Sequence, residues 1–391
     1  MRRVRTRAAS LRVDDDTVQM RELAAELSRA GRDAGLDEVG IASARPFSAT
    51  LAHLQARKAA GLHGGMHFTY GDPERATDPA RSVPGARSLV VGLRSYRRTD
   101  AEPPPRPGEG PWARVARYSW SDHYQPLRQA LGAVQRRLTA LGWAARVLAD
   151  DNALVDREAA CRAGLGWYGK NTLLLAPGRG SWFVIGSVVT DAPLLPGPGP
   201  VADGCGSCAR CLPACPTGAI IAPGVLDARR CLAWLLEAPG AFPKEFRVAL
   251  GDRLYGCDDC QEACPANRAS DRLRPPPAPD PGDEPWIDVV ALLALDDEAL
   301  LARVGRWYVP RRQARYVRRN ALVVLGNIGD GADQRVERCL RGALGDRDPL
   351  LRAHAVWAAG RLGRLDLLRA MVGTEEDDEV RTELRDALAA A

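Results

Sequence analysis

Eight of the ten cysteines fall between Cys205 and Cys264, and their spacing constrains the fold more than any other feature of the chain. The first run is Cys205-Gly-Ser-Cys208-Ala-Arg-Cys211-Leu-Pro-Ala-Cys215-Pro216, which is C-x2-C-x2-C-x3-C-P. The second group is Cys231, Cys257, Cys260 and Cys264, the last again followed by a proline, Pro265. This is the run of bacterial ferredoxins. Three thiolates wrap one face of a cubane, and the fourth turns away before the proline to reach a second cluster. Eight thiolates therefore predict two 4Fe–4S clusters. The spacing assigns Cys205, Cys208, Cys211 and the distant Cys264 to the first, and Cys215, Cys231, Cys257 and Cys260 to the second. A zinc ribbon is built from paired C-x2-C units and has no use for a third C-x2 step ending in C-x3-C-P. Cys161 and Cys339 stand outside the pattern and read as ordinary buried thiols.

Cysteines packed this densely, in a chain with no apolar secretion signal, point to metal ligation in a reducing cytoplasm rather than to a disulfide framework. The 391 residues suggest two or three domains. A charged fraction of 26% and a hydrophobic fraction of 46% exclude wholesale disorder and a fibrous protein. No apolar run is long enough to span a bilayer, so no membrane association is expected. The Arg-rich opening, residues 1–16, reads as a basic tail.

Two Pro-rich breaks, at 191–200 and 272–285, divide the rest into parts spanning 17–195, 196–271 and 286–391. Apolar periodicity in the first part predicts helices at 17–35, 122–141 and 153–163, with strands at 36–44, 86–96, 143–149 and 181–190. The third part repeats one pattern, RRNALVVLGNIGD at 318–330 and LLRAHAVWAAGRLGR at 350–364, which resembles HEAT-type helical repeats. Asp348 and Pro349 read as the cap and first-turn proline of the second copy. The predicted class is α+β: an N-terminal mixed α/β domain, a ferredoxin-like two-cluster insert and C-terminal HEAT-like helices.

The net charge of +5 is mild, but it is unevenly placed. Between Arg303 and Arg319 there are seven arginines and no acid, with Trp307, Tyr308 and Tyr316 among them. Guanidinium forks suit phosphates and aromatic rings stack on bases, so this segment is a candidate RNA-binding face.

Three stretches together resemble one family: DDNALVDREAACRAGLGWYGKN from Asp150, CGSCARCLPACPTGAI from Cys205, and LDARRCLAW with RLYGCDDCQEACPAN. They are similar to epoxyqueuosine reductases, iron–sulfur and cobalamin enzymes of tRNA queuosine synthesis. The resemblance implies an N-terminal domain that binds cobalamin base-off, with electrons arriving through the two clusters from a low-potential donor. It implies reduction of the wobble-position epoxide in tRNA with a GUN anticodon, in the cytoplasm. By the same resemblance Asp150 is the proton donor, with Asp151 the alternative if the register slips. Arg75, Ala116, Ala233, Cys257 and Asp258 fall at cobalamin-contacting positions. Trp167, Lys170 and Asn171 would form a pocket wall, and Arg311, Arg312, Arg315, Arg318 and Arg319 would hold tRNA. From residues alone, Asp150 reads equally as the cap of the helix that follows. The chain departs from the family in one loop, where Tyr118-Ser-Trp120-Ser-Asp122-His123-Tyr124-Gln125 ends in Gln in place of a His. His123, two residues earlier, reads as a surface residue. Two other functions fit parts of the pattern: an electron carrier with a helical partner-binding module, and a corrinoid dehalogenase-like reductase of a small molecule.

Overall fold

The computed structural model describes residues 2–97, 106–273 and 282–390, with backbone alone for 2–16 and 270–273. Helix α1 (Arg2–Asp33) begins at the second residue, so the stretch expected as a tail continues the first predicted helix. Strands β1 (Glu38–Ser43), β2 (Ser88–Ser95), β3 (Trp112–Val115), β4 (Ala145–Ala149) and β5 (Phe183–Thr190) follow. Four of them form an antiparallel sheet in the order β1-β2-β5-β4.

The sheet is buried on both faces, and the period-two alternation sorts its side chains. Val90, Val184 and Val188 face α1 and the long helix α2 (Tyr124–Ala140), which contributes Leu127, Leu131, Val134 and Leu138. Leu89, Val91, Leu93 and Val189 face the other way, toward Phe47 and the short helix α3 (Asp156–Arg162). At the centre, Gly92 lies opposite Gly186. A Cβ on Gly186 would stand 2.6 Å from the Leu131 side chain and 2.9 Å from the Ala149 Cβ, so glycine is what lets α2 sit close to the sheet.

Strand β3 was not legible in the sequence. It leaves the main sheet and lies between β6 (Arg253–Tyr255) and β7 (Trp286–Asp288) in a separate three-stranded sheet. The three expected parts thus share one sheet, each giving a strand. Helix α4 (Leu232–Glu237) packs beside it, and then come α5 (Ala314–Ile328), α6 (Gln334–Leu344), α7 (Pro349–Arg361) and α8 (Asp378–Ala389). Helices α5 and α7 are the two copies of the repeated pattern. Asp348 caps α7, accepting from the Leu350 N–H, with Pro349 in its first turn. One apolar core runs from Ala113 and Val115 of β3 through Leu232 and Leu236 of α4 into Leu322, Val356 and Leu384 of the helical array.

Candidate active site

Seven of the eight cysteines expected to hold the clusters lie within electrostatic reach of one another. Cys211 lies within electrostatic reach of Cys264, Cys205 and Cys208, and Cys264 of Cys205 and Cys208. Cys231 feels Cys215, and Cys260 feels both Cys231 and Cys215. Backbone N–H groups already point at several sulfurs: Ala219 at Cys215 (3.2 Å), Trp234 and Ala233 at Cys231, and Ala266 and Asn267 at Cys264. Such dipoles stabilise thiolates, so the donor set fits two cubanes. The Cys257 thiol donates to Asp259 (2.7 Å), whose carboxylate is gripped by Arg253. Among the described residues, no three or more His, Cys, Asp and Glu side chains converge as a single metal ion would require. A cubane sits between its ligands and holds them wider apart.

The cysteines assigned to the second cluster open onto a cavity of about 480 Å³ between the main sheet, the cluster segment and α4. Cys215, Cys231, Cys257 and Cys260 all line it, as do Ala233 and Asp258. Asp258 accepts from the Arg117 N–H (2.8 Å), and burial pushes its carboxyl up to about 6. Tyr96, Tyr118, Tyr124, Asp156 and Glu237 also line it. Glu237 accepts from the Tyr118 hydroxyl (3.2 Å), and burial raises its carboxyl to about 7. The described helices include none long and apolar enough to cross a membrane.

Asp150 ends β4 in the left-handed region, with φ of 56°. Asp tolerates that conformation at a small cost, and such strain gathers at functional sites. The neighbouring Asp151 does the local structural work: its Oδ1 accepts from the Ala153 N–H (2.9 Å) and its other oxygen faces Arg146. Asp150 therefore does not cap α3. Its side chain has no hydrogen-bond partner among the described residues. Asp150 is exposed in the free protein, yet partial desolvation by its neighbours still raises its carboxyl, opposed by Arg128 and reinforced by Asp122 and Asp151. Asp150 is not a wall residue of the cavity, yet its charge reaches Tyr124 and Glu237, which are.

Residues 204–267 match the family of 4Fe-4S double cluster binding domains, and 310–389 match HEAT repeats. The chain is 36% identical to an epoxyqueuosine reductase of Xanthomonas campestris pv. campestris, over 88% of this chain and 97% of the relative. The chain belongs to the epoxyqueuosine reductase family. A Bacillus subtilis epoxyqueuosine reductase is 31% identical over 93% of this chain and 94% of its own. Among solved structures, an epoxyqueuosine reductase with a tRNA-Tyr epoxyqueuosine-modified stem loop superposes with a TM-score of 0.84 at 29% identity, covering 94% of this chain and 98% of that one. A Bacillus subtilis epoxyqueuosine reductase with a catalytic Asp loop swung out of its active site gives 0.83 at 29% identity, with the same coverage.

The sites expected for an epoxyqueuosine reductase are only partly assembled as the sequence suggested. Ala233, Cys257 and Asp258 line the cavity, whereas Arg75 is exposed outside its lining. Ala116 is buried, its N–H donating to the Tyr255 carbonyl across the three-stranded sheet. Of the GWYGKN residues, only Asn171 is a wall residue. Lys170 instead donates to the Gly206 carbonyl (2.7 Å) between two cluster ligands, and Trp167 packs beneath Gly204. His123 is not at the surface: it is 3% exposed and its ring lies 5.6 Å from that of Tyr96. Gln125 is exposed.

The basic face needs the largest correction. Arg319 is fully buried, its guanidinium donating to the carbonyls of Ala238, Gly240, Leu235 and Leu236, so it cannot reach RNA. Arg315 pairs with Asp348, Arg318 with Asp297, and both Arg303 and Arg306 with Glu284. The acids come from outside the segment, which is why its own sequence looked unopposed. Trp307 stacks on Tyr255 in the core and Tyr316 is buried. Arg311 and Arg312 remain exposed, in consecutive left-handed conformations, and Arg312 also holds the Leu301 carbonyl. Tyr308 meets Phe68 edge-on at 4.9 Å beside the cavity. The carboxyls of Asp156 and Glu237 escaped the sequence reading: neither sits in a recognisable spacing, and only the tertiary fold turns them toward one space.

Proposed function

We propose that this protein reduces the epoxide of epoxyqueuosine, at the wobble position of tRNA with a GUN anticodon, to the alkene of queuosine. The observation that carries this reading is that all four ligands of the second cluster line a deep cavity that also holds buried acids. A plain electron carrier would present its cluster to a partner at the surface instead. Cobalamin fits this space, with Ala233, Cys257 and Asp258 along its wall beside the second cluster. When bound, it would supply the low-potential two-electron chemistry at the epoxide.

The chain's own residues do the rest. The cluster ligands fix the path by which single electrons enter from a low-potential donor. The enclosing aromatic wall, Tyr96, Tyr118 and Tyr124, keeps bulk water from the reacting ring. Asp150 carries the proton for the oxygen released on ring opening; its side chain is untied by hydrogen bonds and its carboxyl is raised above the ordinary value. Arg311 and Arg312 hold tRNA phosphates near the cavity. The reaction places the protein with tRNA in the cytoplasm.

The test is anaerobic purification and metal analysis, followed by turnover on an epoxyqueuosine stem loop under a chemical reductant. We expect eight irons and one cobalt per chain, and queuosine by nucleoside mass spectrometry. Iron without cobalt, and no product after cobalamin is added, would leave the electron-carrier reading.

A further inference from the structure

Turning an epoxide into an alkene consumes two electrons and two protons, because both C–O bonds break and the oxygen leaves as water. This accounting rests on the function proposed above. Asp150 holds one proton; it is exposed in the free protein, and a stem loop whose modified base enters the cavity would cover it during turnover. The second proton needs a source inside the same space.

The wall contains such a group. Asp156 opens α3 six residues after Asp150, and its side chain lines the cavity. Its Oδ1 is buried without a hydrogen-bond partner. A buried polar atom with no partner does nothing for stability and calls for another explanation. Burial, reinforced by the charge of Asp150, raises this carboxyl well above the usual range; Arg157 opposes the shift and Asp151 adds to it. Across from it, on α2, the Tyr124 hydroxyl feels both Asp150 and Asp156, and more weakly Arg157 and Glu237 of α4. Glu237 is occupied by its hydrogen bond from Tyr118. Asp156 alone among the cavity's carboxyls has an oxygen both buried and unclaimed.

We propose that Asp156 stores the second proton of the reaction and restores Asp150 after the first transfer. Cleavage of the first C–O bond leaves an alkoxide oxygen, which takes the proton of Asp150. The Asp156 carboxyl then gives its proton to the Asp150 carboxylate. Cleavage of the second C–O bond, as the alkene forms, releases the oxygen as water with that proton. The two electrons come singly from the low-potential donor through the clusters. Asp156 regains its proton from solvent once product leaves.

The experiment compares the wild-type holoenzyme with Asp156→Asn and Asp156→Glu on the epoxyqueuosine stem loop, from about pH 6 to about pH 8.5. Without its stored proton, Asp156→Asn must draw the second one from bulk water. Its turnover should fall about 100-fold at the alkaline end and recover toward acid, with cluster and cofactor spectra and tRNA affinity unaltered. Asp156→Glu should regain most of the rate and the flat profile. Wild-type rates for Asp156→Asn across the range would overturn the proposal. A loss equal at every pH, accompanied by weaker tRNA binding, would overturn it in favour of a substrate-holding role. A wild-type enzyme inactive on the stem loop would instead sink the function itself, so the two failures are distinct.

Discussion

Asp150 and Asp151 are adjacent and chemically identical, and the fold gives them different tasks. Asp151 is tied to the Ala153 N–H and to Arg146, while Asp150 is left untied at a strained turn. Asp150→Asn should therefore keep both clusters and lose roughly 100- to 10,000-fold in turnover, the usual worth of a positioned acid. Asp151→Ala should cost mainly stability, of order 1 kcal/mol, as for other lost capping contacts. Steady-state assays beside thermal melts of the two variants separate these outcomes. Arg319 makes the opposite point about charge. Burial pushes its guanidinium down to about 9, and it donates to four backbone carbonyls, of which only that of Leu236 has a second side-chain donor among the described residues, Asn320. Arg319→Ala should destabilise the protein by at least about 3 kcal/mol, since each buried acceptor left unpaired costs about 1–3, whereas Arg311→Ala should leave the melting temperature unchanged. The sequence displays the cysteines and Asp150 because ligand spacing and the AGLGW neighbourhood are local patterns. It hides the fate of Arg315, Arg318 and Arg319, because their partners Asp348, Asp297 and the Leu235–Gly240 carbonyls lie elsewhere in the chain.

Helices and strands with a long apolar period were readable. The predicted strand at 181–190 appears as Phe183–Thr190 and the helix at 122–141 as Tyr124–Ala140. Strand β3 was not, because four residues after a Pro- and Gly-rich stretch carry too little periodicity, and both its partners are distant in sequence. Helix α7 shows how an element can set a pH limit. His354 is fully buried, receives the Phe242 N–H on Nε2 (3.1 Å) and donates from Nδ1 to Leu350 (2.7 Å). Burial holds its imidazole down to about 3, against 6.5 when unfolded. The unfolded chain thus binds this proton first. The stability is intact above about pH 6.5 and declines as pH falls toward 3. Urea midpoints should drop between about pH 7 and pH 5, and His354→Gln should flatten that decline. The two cysteine motifs meet in the same non-local way, Cys264 of the second lying within reach of Cys205, Cys208 and Cys211 of the first. Cys264→Ser should strip the first cluster and leave the second, which electron paramagnetic resonance of the reduced protein would distinguish. Retention of the first cluster and loss of the second would mean the ligation is not crossed.

At the scale of the molecule, the charge pattern matters more than its sum. With Arg315, Arg318, Arg303 and Arg306 already matched by acids, the proposed RNA attraction would rest on exposed forks such as Arg311 and Arg312. Replacing both by Ala should weaken tRNA binding and reduce the salt dependence by roughly 0.7–0.9 per lost phosphate contact, measured as affinity against salt concentration. Cluster spectra should be unaltered.

The three-stranded sheet has a consequence for how the chain is made. Strand β3 emerges from the ribosome early; one neighbour, Arg253–Tyr255, is synthesised just before Cys257, Cys260 and Cys264, and the other, Trp286–Asp288, only after every cluster cysteine has been added. One edge of β3 stays open in the nascent chain until then. The main sheet, whose strands end at Thr190, can close first. Metal loading therefore falls in the interval between two closures. The eight thiols are already out, while the edge of β3 that Trp286–Asp288 covers has yet to be sealed. A cell short of iron during that interval would accumulate chains with exposed strand edges, a form prone to aggregate rather than a merely inactive enzyme.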